Sequence, residues 1–282
     1  MRASATALSA GYRQANRALG TWALGAALLL GGCAAPGTGA GTGGGAAGSG
    51  SEGTVASEAT AATVRRVGFL TDYAGLRPMP GGGGLLCWRS PGVDWKQYNQ
   101  ILFERIQVYL KPGAAQPVDP TDLKMLIDYF HASLVKAIEP EARVVNAAGP
   151  GVLRVRFALT NLVPTNTVAS LVGTATPYGF VAEMGAGAAA GKPAGATPYL
   201  GQTGMEVQFR DGASGQLVGE CADTEIGLKY AADLNAGAAG AAENWVNGYM
   251  DSFTQWTYAK TAFDKWAAEF ARRFKQLKAS QA

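Results

Sequence analysis

Four sets of residues in this 282-residue chain are of types and spacings that could do chemistry. Cys33 directly follows Leu30-Gly31-Gly32, so a nucleophilic thiol stands behind two small residues at the end of an apolar run. Cys87 and Cys221 are two further thiols that could pair with each other. Asp128 and the chain's single histidine, His131, are three apart, where a carboxylate and an imidazole on one helix can touch as in a metal or acid/base pair. Glu206 and Glu220 flank Asp211-Gly212-Ala213-Ser214-Gly215, so a hairpin there would bring two carboxylates together as in a glycosidase dyad.

Most of these sets have a structural reading that needs no reaction. His131 has no second histidine and no cysteine near it in sequence, which leaves a hydrogen bond on a helix surface as the expectation. A lone histidine and the absence of Gly-x-Ser-x-Gly also argue against the usual hydrolase arrangements. Glu206 and Glu220 are expected to face outward with Arg210 on a solvated sheet face. Gly43-x-Gly45-x-x-Gly48 has no strand before it, and Gly191-Lys192 is followed by Pro193 where a phosphate loop requires Ser or Thr, so neither nucleotide signal stands. No motif groups a nucleophile, a base and an orienting residue. The expectation is therefore a protein that is not an enzyme, with no catalytic residues, no metal and no cofactor.

Cys33 is different because its surroundings agree with it. Arg2, Arg13 and Arg17 precede the uncharged run 18–30, which is too short to span a bilayer, and Gly31-Gly32 then lead to the cysteine. This order resembles the lipobox of bacterial lipoproteins. The resemblance implies a signal peptide over 1–32, cleavage before Cys33, and acylation of Cys33 by a palmitate-type chain that anchors the protein to membrane lipid. Residues 34–63 are almost all Gly, Ala, Ser and Thr, with Glu52 and Glu58 the only charges. Such a stretch cannot offset its ordering entropy by burial, so 33–63 reads as a lipidated cysteine and flexible tether. Its r.m.s. reach is roughly 30 Å. The net charge of +3 belongs to the leader: 24 Lys+Arg less its three Arg leaves 21, against 21 Asp+Glu. A balanced chain offers no electrostatic case for nucleic acid. Export permits a disulfide between Cys87 and Cys221, but spacing alone leaves open whether they bond or are buried separately.

The elements that must position these residues fall in 64–282, read as one folded domain. Residues 100–110 read as a strand with Leu102, Ile106, Val108 and Leu110 on one face. Asp119 is an N-cap, Pro120 fits the first helical position and Asp122 stands in for a capping-box acid. The helix they open puts Leu123, Leu126, Ile127, Phe130, Leu134, Ala137 and Ile138 on one stripe and ends at Pro140, reading as a crossover between strands. Residues 142–146 form a short strand. Leu153, Val155, Phe157 and Leu159 alternate with Arg154, Arg156, Ala158 and Thr160 in the next, where the arginines read as solvated positions rather than a basic stripe. Residues 164–204 lose pattern, and a protruding hairpin or short helix is expected near 181–190. The hairpin 205–221 places Met205, Val207, Phe209, Leu217 and Cys221 toward the core. Trp245, Tyr249 and Phe253 lead to a last helix with Phe263, Trp266, Phe270, Phe274 and Leu277 on one stripe.

Phe69-Leu70-x-Asp72-Tyr73-x-x-Leu76-x-Pro78, then Asp94-Trp95-x-x-Tyr98 leading into an apolar strand, resembles the bacterial lipoproteins grouped as domain of unknown function 3313. The resemblance runs over about 67–275 and implies an envelope lipoprotein with no assigned activity and no catalytic residues to carry over. Phe69, Tyr73, Trp88 and Trp95 read as a leading segment packing its aromatics onto the domain.

The fold class is thus α+β: a mixed sheet of four to five strands with amphipathic helices packed on it, a single periplasmic domain behind a lipobox signal and tether. Ala34, rather than Asp, follows Cys33, which implies the outer membrane, periplasmic side. The leading expectation for function is a non-catalytic envelope interaction or assembly module with an envelope protein as partner. The alternative is a periplasmic binding or carrier protein for a small apolar or lipidic ligand held between sheet and helices. An exposed aromatic or edge-strand patch favours the first, and an apolar pocket the second.

Overall fold

The computed structural model describes residues 55–57, 64–80, 84–110, 118–175, 189, 192, 196–197, 199–229, 247 and 254–280. They fall within the unit Gly48–Ala282. Cys33, the leader, the helix or hairpin expected near 181–190, and Trp245, Tyr249 and Phe253 lie outside the described residues.

Alternating apolar residues build a mixed sheet of nine strands: β1 (Val55–Ser57), β2 (Arg77–Pro78), β3 (Leu86–Arg89), β4 (Gln100–Phe103), β5 (Gln107–Tyr109), β6 (Arg143–Val144), β7 (Val152–Val163), β8 (Gln202–Asp211) and β9 (Leu217–Gly227). Among the described residues three α-helices accompany it: α1 (Pro120–Ile138), α2 (Thr167–Ala175) and α3 (Thr257–Ala279). The order across the sheet is β2-β3-β9-β8-β7-β4-β6, with β1 also on β9 and β5 also on β7. β4, β5 and β6 pair in parallel and the rest antiparallel. The expectation of four to five strands is corrected to nine. The extra strands are two to four residues long, too short to carry a periodic signal.

Register irregularities shift which side chains face in, and two of them bear on the expected strands. From Phe103 opposite Val155 to Gln107 opposite Ala158, four steps on one strand meet three on the other. This extra residue splits the expected strand 100–110 and reverses its parity, so Ile101 and Phe103 join Ile106 and Val108 in the main core in place of Leu102. A second shift, between Phe209 and Arg210, buries Val218 and leaves Leu217 half-buried. β1 lies inside the stretch read as tether. Val55 is buried beside Leu200 and Tyr258, and Val55 to Ser57 pair with Gly227 to Glu225.

α1 starts as its residues dictate. The Asp119 carboxylate accepts from the Thr121 N–H at 2.7 Å and Pro120 occupies the first turn. Asp122 instead accepts the Trp256 indole N–H at 2.8 Å, tying the start of α1 to the start of α3. The two helices lie on one face of the sheet, where Phe130 stacks on Phe263 with ring centroids 4.7 Å apart. In 164–204, where no element was expected before 181, α2 presents Val168, Leu171 and Val172 to solvent.

Candidate functional site: an apolar cavity behind the sheet

Successive residues of β7, β8 and β9 point to opposite faces. On the helix side, Leu153, Phe157, Met205, Val207, Phe209 and Cys221 come together beneath Trp266, Phe270 and Phe274 of α3. The helix does not close onto the strands along its whole length. A cavity of about 530 Å3 remains between them, bounded on its third side by Met79, Pro80, Leu85 and β3. Phe270 forms much of its roof, stacked on Phe209 at 5.9 Å and 11° and edge-on to Phe157. The exposed members of the wall are Pro80, Arg89, Gln276 and Ser280, which form the mouth.

Cys87 and Cys221 sit in this wall. β3 and β9 set them directly opposite each other with a Cα–Cα distance of 4.1 Å, and their sulfurs are bonded. The bond fastens the short β3 to the long hairpin, joining residues 134 apart in sequence. Constraining a loop of that length stabilises the fold by roughly 2–5 kcal/mol.

The opposite face of the same strands corrects the expectation for Glu206 and Glu220. Both are fully buried rather than solvated. Residues 64–76 cross this face as a strap, with Phe69, Leu70 and Leu76 packed on Leu86, Ala158 and Ala222. Glu220 accepts the N–H of Thr71 at 2.7 Å on one oxygen and that of Asp72 at 3.1 Å on the other. Gln208 donates to Glu220 at 2.7 Å. Glu206 accepts the Tyr73 hydroxyl at 2.8 and 3.0 Å, and that hydroxyl in turn accepts the Gly68 N–H at 3.0 Å. Burial is the main cause that pushes Glu206 up to about 7, and the nearby Glu220 carboxylate adds to it. Burial also raises Tyr73, followed by its bond to Glu206. Each carboxylate is fully buried, with its oxygens engaged by the strap and by Gln208.

Arg154 and Arg156 belong to this network. Glu104 holds Arg154 at 2.5 Å and Arg156 at 3.3 Å, while Arg156 also donates to Gln208 and covers the Phe69 ring at 5.1 Å. They are half-buried and paired instead of solvated. His131 is exposed and lies edge-on to Phe103, while Asp128 pairs with Lys124, so the expected Asp128–His131 contact does not form. Among the described residues, no three His, Cys, Asp or Glu side chains converge to hold a metal. Among the same residues, no helix is long and apolar enough to cross a membrane.

Most of the cavity's apolar wall is legible in the sequence, which also admits an apolar site between sheet and helices, but the gap itself is not. The α3 stripe and the inward residues of β7 and β8 follow from periodicity, but an unfilled gap has no sequence signal. Arg89 was missed, although its position two residues after Cys87 puts it on the same face of β3.

Comparison with known proteins adds a family but no activity. The family model described as protein of unknown function (DUF3313) matches residues 65–249. A 97-residue stretch is 29% identical to the uncharacterized lipoprotein YdcL of Escherichia coli (strain K12), covering 34% of this chain and 44% of that protein. The same figures hold for the protein so described in Escherichia coli O157:H7, so the match spans less than half the length of these relatives. Among solved structures, the PelC dodecamer from Paraburkholderia phytofirmans is similar at 9% identity with a TM-score of 0.31, covering 66% of this chain and 98% of that one. Protein XCC0632 from Xanthomonas campestris is similar at 15% identity with a TM-score of 0.29, covering 69% and 94%. Scores this low carry no structural or functional argument.

Proposed function

Since the chain belongs to the DUF3313 family of proteins of unknown function, which supplies no activity to carry over, we propose its role from the cavity: a non-catalytic envelope lipoprotein that binds a small apolar or lipidic ligand between its sheet and C-terminal helix. The observation that carries this reading is the apolar cavity of about 530 Å3, within the range of about 300–1,000 Å3 typical of small-molecule sites. The lipoprotein description of the Escherichia coli relatives and the lipobox-like order around Cys33 support an acylated anchor at that residue. Ala34 after Cys33 supports the outer membrane, periplasmic side. Such an anchor would hold the cavity within reach of membrane lipid.

An assembly module is the second reading, favoured by one observation. Val168, Leu171 and Val172 form an exposed apolar stripe at steps of three and four on α2, of the kind that docks in a groove of an envelope protein.

Titration of the full chain carrying Cys33→Ser with the neutral dye N-phenyl-1-naphthylamine tests the first reading. We expect saturable binding of one dye per chain, lost in Val207→Trp and in Leu277→Trp, which fill the cavity from opposite walls. Unchanged affinity in both variants, or no binding to the parent, would overturn it.

A further inference from the structure

The polar groups of the cavity are not scattered through it. Apolar lining comes from residues such as Phe157, Met205, Val207 and Phe270, while the charged and polar lining residues Arg89, Glu269, Arg273, Gln276 and Ser280 come from the end of β3 and the C-terminal half of α3 with the residue that follows it. The charges there do not balance. Glu269 is bound by Arg273 at 2.6 Å and by Arg272 at 2.6 Å, and Arg273 also donates to the Pro80 carbonyl at 2.9 Å. Among the residues that line the cavity, the guanidiniums of Arg89 and Arg273 stand with a single carboxylate, that of Glu269. Arg89 is exposed, and its side chain makes no hydrogen bond or ion pair with the described residues.

We propose that the cavity takes a single-chain amphiphile with an anionic head, the chain lying against the apolar lining and the head paired with Arg89. The inference rests on the apolar-ligand reading above and specifies its ligand class. Arg89 follows Cys87 at a spacing of two on β3, so it emerges on the cavity side just beyond the disulfide. A guanidinium at that place offers a planar fork to a carboxylate or phosphate oxygen pair. A cationic head would meet the surplus of positive charge, and a neutral head would leave Arg89 unpaired. The volume belongs to sites that bury one drug-sized ligand, which suits one aliphatic chain rather than a two-chain lipid.

The test compares dodecanoate with dodecanol, which share a chain and differ in the head, by calorimetric titration of the full chain carrying Cys33→Ser at pH 8 and low salt. We expect dodecanoate to bind about 3- to 10-fold more tightly, the size of a partly exposed charge-assisted contact. Arg89→Ala should abolish that preference by lowering dodecanoate affinity to the level of dodecanol. Because Arg89 is exposed, the variant's unfolding midpoint should be unchanged. Equal affinities in the parent chain, or a preference that survives Arg89→Ala, would overturn the head-group inference while leaving the apolar site standing. If neither probe binds, the cavity reading fails and the inference with it.

Discussion

The two faces of the β7-β8-β9 sheet are closed by different chemistry. The helix side is covered by aromatic and aliphatic side chains, and its cover stands off far enough to leave about 530 Å3 unfilled. The strap side is covered by an irregular segment whose backbone N–H groups meet the buried Glu220 and whose Tyr73 hydroxyl meets the buried Glu206. None of Glu206, Gln208, Glu220 or Tyr73 keeps a buried polar atom without a partner. Dispersion and hydrophobic contact fall off gradually with imperfect fit, so an apolar face can keep a gap and remain stable. A buried carboxylate has no such latitude, because one missing donor costs the full desolvation of a charge. The strap side is therefore specified and closed, and the helix side is the one that can accommodate a guest. The motif Phe69-Leu70-x-Asp72-Tyr73-x-x-Leu76 takes its meaning from this comparison: its apolar members pack the strap down and Tyr73 answers Glu206.

The largest effect should come from removing apolar contact where the helix side is fully packed. Phe263→Ala, at a site with no exposure and a stacked partner in Phe130, should lower stability by about 3–5 kcal/mol in urea unfolding. A loss this large at Phe263, with little loss for Phe270→Leu beside the cavity, would sharpen the contrast between filled and unfilled parts of that face.

The strap side should reveal itself through pH. Glu206 is raised from 4.5 to about 7 in the folded protein, so the folded state holds a proton that the unfolded state has lost between those values. Its contribution is present below about pH 4.5 and is lost as pH rises through 7, a change of about 3 kcal/mol. Glu225, raised by burial and then by the Asp223 charge to about 8, acts in the same direction. Unfolding followed from pH 5 to 8 should therefore show falling stability, and Glu206→Gln should flatten the lower part of that slope while leaving the share of Glu225. A slope unchanged by Glu206→Gln would contradict the assignment.

Smaller effects should follow along the same network. Tyr73→Phe removes a donor to Glu206 and should cost about 1–3 kcal/mol, more at pH 8 than at pH 5 because the ionised carboxylate needs that donor most. Arg156→Ala should cost about 1 kcal/mol, from its exposed-side contacts with Phe69 and Glu104. Hydrogen exchange in residues 64–76 would report both as faster opening of the strap, with α1 and α3 unaffected.

What could be read from the chain follows the same division. The α1 and α3 stripes, the Asp119-Pro120 start and the 205–221 hairpin are repeating or local signals, and the structure contains them near their expected bounds. Glu206 and Glu220 could not be read as buried. Their alternation places them on the outward face, and only a strap more than a hundred residues away in sequence covers it. The misplacements at Leu102 and Leu217 have a common cause, since a single extra residue in a strand reverses every later side chain and leaves no mark in composition. The cavity is hardest of all, because it depends on where α3 fails to touch the sheet.

Mass spectrometry of the organic extract from the full chain, purified from membranes beside its Val207→Trp variant, would show what the cavity holds. We expect a single-chain anionic lipid at about one per chain in the parent and its loss in the variant. An extract with no lipid, or with equal lipid from both proteins, would contradict a lipid-binding role.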